Sequence, residues 1–144
     1  MTTGDDFISL AGLLAAGKNP TPVALRTAIN RAYYGAMHLT RQFLSSLAIP
    51  YEDRHNLHFF LCNSGNLDAE QAGKLLEDLL DRRKRADYKL ERVDVESARF
   101  AQLSVEIAHE FRSHLERCRT EPTRSTVKSG IEAYRQRIGP RGST

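Results

Sequence analysis

The stretch Ile29–His38, INRAYYGAMH, sets an arginine, two adjacent tyrosines and a histidine among small residues. Arg31 and His38 are seven residues apart, so on a helix they differ by about 20° around the axis. Tyr34 falls between them on the same side, Asn30 and Arg41 border the stripe, and Tyr33 turns with Ile29 and Met37 toward a core. A guanidinium and an imidazole are the pair that metal-free RNA cleavage needs. The imidazole moves the proton near neutral pH, and the guanidinium stabilises the charge that builds on phosphorus. On one helix the two lie about 10 Å apart along the axis, so they meet only through a substrate. The stripe Arg31, Tyr34, His38 and Arg41 also has the chemistry to hold phosphate and stack a base. A plainer reading is a helix flank whose polar groups meet carboxylates on neighbouring helices.

A second cluster lies further along. From Arg82 to Arg92, six cations (Arg82, Arg83, Lys84, Arg85, Lys89 and Arg92) outnumber Asp87 and Glu91. Four consecutive basic residues cannot share one helical face, so some must be solvated. The i, i+4 spacings of Asp81 with Arg85 and of Arg83 with Asp87 predict ion pairs along the helix surface. Arg82, Arg83, Lys84 and Arg85, with Tyr88 as an aromatic neighbour, are candidate contacts to nucleic acid or to a protein partner. His55 and His58 share a face at i, i+3, but no third ligand stands at a recognisable spacing, so no metal or cofactor is expected. No Walker loop, GxGxxG, HExxH or GxSxG motif is present, and hydrolases built on those motifs are unsupported.

The chain of 144 residues has the length of one domain, with 27% charged and 40% apolar residues. No run approaches the ~18 apolar residues of a membrane span. The opening MTTGDDFISL has no basic-then-apolar signal pattern, which predicts a cytoplasmic protein. There Cys62 and Cys118, which form no CxxC motif, are expected to be buried thiols. Net charge is +3 but uneven: residues 117–144 hold seven Lys/Arg against two Asp/Glu. That basic end suits an acidic partner or serves as a solubilising tail.

Apolar periodicity places these residues on helices, and no sustained alternation or hairpin signal appears. The first helix, from about Asp6 to Ala16, carries Phe7, Leu10, Leu13 and Leu14 on one side. The second opens on Thr21 and Pro22 and has no breaker before Pro50, which gives a spine of about 27 residues. A short helix is expected at residues 54–62. Another starts at Asp68 with Gln71 as a capping-box partner. A last long helix, capped by Asp94 and running to about Arg119, has apolar stripes on two sides. Such a helix is either central in the bundle or turns one stripe to a second copy. Residues 1–120 are thus expected to form one all-α bundle of four to five main helices. Residues 121–144 form a basic extension: a linker, then a short helix weakened by Gly130, then a frayed end.

Three segments, INRAYYGAMH, HNLHFFL and RRKRADYKL, resemble the short prokaryotic branch of the HEPN superfamily in order and spacing over roughly residues 5–118. The last matches that branch's R-x-x-A-D-Y stretch at Arg83, Ala86, Asp87 and Tyr88. The resemblance implies a compact up-and-down helical bundle that forms a homodimer, acts in toxin–antitoxin, defence or RNA-processing systems, binds RNA, and pairs with a small nucleotidyltransferase. It also implies a ribonuclease motif, R-x(4–6)-H, placed where two protomers meet. Arg31 to His38 satisfies the count, but on an earlier helix than the family's usual one and with Ala32 after the arginine. At the usual place, near Arg83, no histidine follows before His109, and Arg54 with His58 is one residue short. Weak or absent nuclease activity is therefore expected. An active ribonuclease using Arg31 and His38, and a non-catalytic interaction module, are the alternatives. The dimer face is expected on the doubly apolar helix or on the second helix.

Overall fold

A computed structural model describes residues 1–52 and 56–139; Arg54 and His55 lie outside the described residues. The described residues are all-helical. The helices are α1 (Gly4–Ala16), α2 (Pro22–Ser46), α3 (His58–Cys62), α4 (Leu67–Tyr88), α5 (Ala98–Arg117) and α6 (Thr123–Ile138), with a 3-10 turn at Val93–Val95. None of them is long and apolar enough to cross a membrane.

Helix α2 is the spine and packs against α1, α4 and α5. Thr21 caps it by accepting from the Ala24 amide at 3.1 Å, and Pro22 occupies the first turn. Along its inner side Leu25, Ala28, Ile29, Ala32, Tyr33, Ala36, Met37, Phe43 and Leu44 are all buried. Two expected caps move. Asn66 rather than Asp68 caps α4, accepting from the Ala69 amide at 3.1 Å. Asp68 instead reaches His114 Nδ1 at 2.9 Å on α5. The hydrogen bond to His114, with Arg117 nearby, holds the Asp68 carboxyl below its usual range against the small opposing effect of burial. Ser97 rather than Asp94 caps α5, because the chain makes a 3-10 turn at Val93–Val95 before that helix begins.

The leucine-rich side of α1 is not the side it buries. Leu10 and Leu13 are 44% and 74% exposed, while Gly4, Ile8, Ala11 and Ala15 face inward. The cause is close approach. A Cβ on Gly35 would lie 2.8 Å from the Gly4 carbonyl oxygen and 2.6 Å from Ile8 Cγ1, so α1 crosses α2 where only small residues fit. Most of both stripes of α5 is covered by its own chain. Ala101, Val105, Ile107, Ala108, Phe111 and Leu115 are buried against α1, α2 and α4, and Leu103 is left partly exposed. Of the two readings of its double stripe, the central position holds.

Within the basic end, residues Thr123–Ile138 form a docked helix. Val127 and Ile131 of α6 are fully buried, and Arg124 Nη2 donates to the Ser46 carbonyl at 2.6 Å. Of the stretch expected to form a linker, residues 120–126, the last four, Thr123–Thr126, are the first turn of α6. Gly130, expected to weaken the helix, is instead its point of closest contact, over the backbone of Ser64.

Candidate nucleic-acid or partner-binding face

Along the outer side of α2, Asn30, Arg31, Tyr34, His38 and Arg41 are all half-buried, as the helical spacing predicts. Helix α1 adds Phe7 to this stripe. The Arg31 guanidinium stands 5.1 Å from the Phe7 ring centre and 5.7 Å from that of Tyr34. His38 meets Phe7 edge-on at 5.1 Å and lies tilted 6.4 Å from Tyr34. Arg31 and His38 therefore share two aromatic neighbours. Arg31 Nε donates to Asn30 Oδ1 at 2.8 Å, and its Nη2 donates to the same oxygen. The face of the guanidinium is thus covered by rings and two of its N–H groups are fixed, which orients the remaining ones. An open groove lined by Thr3, Gly4, Phe7, His38 and Gln42 continues past His38.

Behind the stripe lies Arg83 of α4, only 6% exposed. Its Nη2 donates to the hydroxyls of Tyr34 at 2.8 Å and Tyr88 at 3.1 Å. Its guanidinium carbon lies 5.8, 5.3 and 5.0 Å from the ring centres of Tyr33, Tyr34 and Tyr88. Arg83 Nε is 3.1 Å from Asp87 Oδ2, an ion-pair contact whose angle is too bent for a hydrogen bond. Burial opposes the charge, yet Tyr34, Tyr88 and Asp87 around it hold the Arg83 pKa above its ordinary value. Asp87 also accepts from Asn30 Nδ2 at 2.8 Å, which ties the end of α4 to the stripe on α2. Tyr33 does point inward: it is 1% exposed, and its hydroxyl reaches Met37 Sδ at 3.2 Å. Burial raises its pKa, against the opposing pull of Arg83.

The four-residue basic run splits as helical geometry demands. Arg82 turns to α5, with Nη1 donating to Ser104 Oγ at 3.3 Å, its guanidinium 4.6 Å from the Phe100 ring centre, and Nε donating to Asp78 at 3.1 Å. Arg83 turns inward to α2. Lys84 is exposed beside a groove shared with His58, Glu77 and Asp81. Arg85 pairs with Asp81 at 2.6 Å. The fold therefore brings Arg83 and Tyr88 to Arg31, Tyr34 and His38, and takes Arg82 and Arg85 away from them. No protein-family model matches this chain. Nor does any curated protein or solved structure.

Three contributors to the face, Phe7, Asn30 and Asp87, were not among the candidates read from sequence as binding residues. A fourth residue, Arg26, supports the face from below. Buried at the start of α2, it donates from Nη1 to the Ala86 carbonyl at 2.8 Å, from Nη2 to those of Leu90 and Arg92 at 3.1 Å each, and from Nε to Glu96 at 2.8 Å. It satisfies carbonyls that the end of α4 leaves without helical partners, and so fixes Asp87 and Tyr88. The signal was present: Arg26 is seven residues before Tyr33 and falls on the inward side of α2.

The thiols offer no competing chemistry. Cys118 is buried, and burial pushes its pKa up to about 11. Cys62 is half-buried rather than buried, packed against Gly73, and burial raises its pKa as well. Neither carries an activated thiolate.

Proposed function

We propose that this chain is a short HEPN-type protein of a toxin–antitoxin, defence or RNA-processing system, acting as a homodimer or with a small nucleotidyltransferase. In this reading the outer face of α2 binds single-stranded RNA without efficient cleavage. The observation that supports it best is the packing of Arg31 and His38 against the same two rings, Phe7 and Tyr34. Half-exposed rings interleaved with guanidinium groups are a surface for stacking bases and holding phosphate. They are also the residue types that dominate protein interfaces. Cleavage asks for more, since His38 must reach the attacking hydroxyl while Arg31 reaches the phosphate. Here the imidazole packs edge-on to Phe7, and two Arg31 N–H groups are given to Asn30.

A second reading, metal-independent cleavage by Arg31 and His38, draws on the same shared contact. Labelled single-stranded RNA incubated with wild type and His38→Ala in the presence of a chelator separates the two. The binding account predicts that wild type retards the RNA and leaves it intact, and that His38→Ala binds a few-fold more weakly. Cleavage by wild type that disappears in His38→Ala would establish the nuclease instead. Wild type that neither binds nor cuts, yet co-purifies with a protein partner, would leave the face to protein docking.

A further inference from the structure

The RNA reading leaves open which bases the face accepts, and the end of α4 bears on that. Tyr88 is 68% exposed, so its ring presents an open side to solvent. Its hydroxyl is held from behind by Arg83 Nη2 at 3.1 Å, which fixes the ring without covering that side. Next to it, Asp87 is one-quarter exposed. Its Oδ2 accepts from Asn30 Nδ2 at 2.8 Å and lies 3.1 Å from Arg83 Nε. Its other oxygen, Oδ1, takes no hydrogen bond from the described residues. A fixed aromatic platform thus adjoins an oriented carboxylate with spare accepting capacity. Arg31, a cation that suits phosphate, is joined to this end through Asn30, whose amide nitrogen donates to Asp87 and whose oxygen accepts from Arg31.

We infer that Tyr88 and Asp87 form the base-reading end of the RNA face, and that this end favours bases with an exocyclic amino group over uracil. The inference rests on the RNA-binding reading above. A carboxylate oxygen accepts; it cannot donate. Cytosine, adenine and guanine each offer an amino N–H to such an oxygen, and acidic side chains pair with the cytosine amino group for this reason. Uracil's pairing edge has a single N–H between two carbonyl oxygens, which the carboxylate repels. Cytosine and uracil have the same ring size, so they stack comparably on Tyr88 and differ mainly in that edge.

The test is the affinity of the intact protein for oligocytidylate and oligouridylate of about ten nucleotides, read by fluorescence anisotropy at one fixed salt concentration. Wild type is expected to bind the cytidine oligomer about tenfold more tightly, the lower end of what one charge-assisted hydrogen bond contributes. Asp87→Asn is expected to abolish that ratio. Tyr88→Leu, a change at an exposed position, is expected to weaken both oligomers and keep the ratio. The wild-type ratio needs no variant to fold. Equal affinity of wild type for the two oligomers overturns the inference and leaves RNA binding standing. Failure to bind either oligomer overturns both.

Discussion

Arg26→Met melts well below the wild type. The substitution keeps most of the aliphatic stem but removes the donors that reach the carbonyls of Ala86, Leu90 and Arg92 and the Glu96 carboxylate. Breaking a buried ion pair costs about 3–5 kcal/mol. Glu96 retains some solvent, since its side chain is 25% exposed, so about 3 kcal/mol is the appropriate figure. For a chain of this size that lowers Tm by roughly 6–12 °C. The damage is also local: amide hydrogens of residues 88–93 exchange faster than those of the α2 core, because Arg26 is what ties that segment to α2. Glu96→Gln removes one charge but keeps an acceptor, and costs less. An Arg26→Met Tm within 2 °C of wild type would show that water satisfies those carbonyls and that Arg26 does not fix the end of α4.

Gly130→Ala reverses the sign that helix propensity assigns. In an exposed helix the change is favourable by about 1 kcal/mol. Here the added Cβ falls 1.6 Å from the Ser64 carbonyl oxygen and 2.6 Å from the Ser64 carbonyl carbon, both backbone atoms that no rotamer change can move aside. Helix α6 must back away, and it loses the contacts of Val127 and Ile131. Overpacking of this kind costs about 1–3 kcal/mol. The expected result is a lower Tm together with faster tryptic cleavage between α5 and α6. Ser129→Ala, one residue earlier at an exposed position, leaves both unchanged. If Gly130→Ala matched wild type in both, α6 would not be docked as described.

Neither Arg26 nor Gly130 is assigned its role by the sequence, whereas the features set by helical spacing are. Periodicity separated Tyr33 from Tyr34 correctly, because a 100° step per residue decides which side a group faces. The same geometry dispersed Arg82–Arg85 and paired Asp81 with Arg85 and Arg83 with Asp87, as the spacing required. Close approach is less legible. Hydrophobicity marks which side chains gain from burial, but not which two helices touch at their backbones. Gly4, packed against Gly35 of α2, therefore took the inward position on α1 that its leucines suggested for themselves. Gly130 was misread for the same reason. The face on α2 was half legible. Arg31, Tyr34 and His38 follow from spacing within one helix, whereas Phe7 and Asp87 join them only through contacts made when α1 and α4 pack on α2.

The central claim is that Arg31 on the outer face of α2 holds RNA phosphate, and the salt dependence of binding tests it most directly. Each phosphate neutralised on a single strand contributes about −0.7 to the slope of log affinity against log salt. Binding of a single-stranded RNA to wild type and Arg31→Ala, measured from low to moderate salt, is expected to show weaker binding by the variant and a slope shallower by about 0.7. An Arg31→Ala protein that melts like wild type and binds with the same affinity and slope would contradict the account.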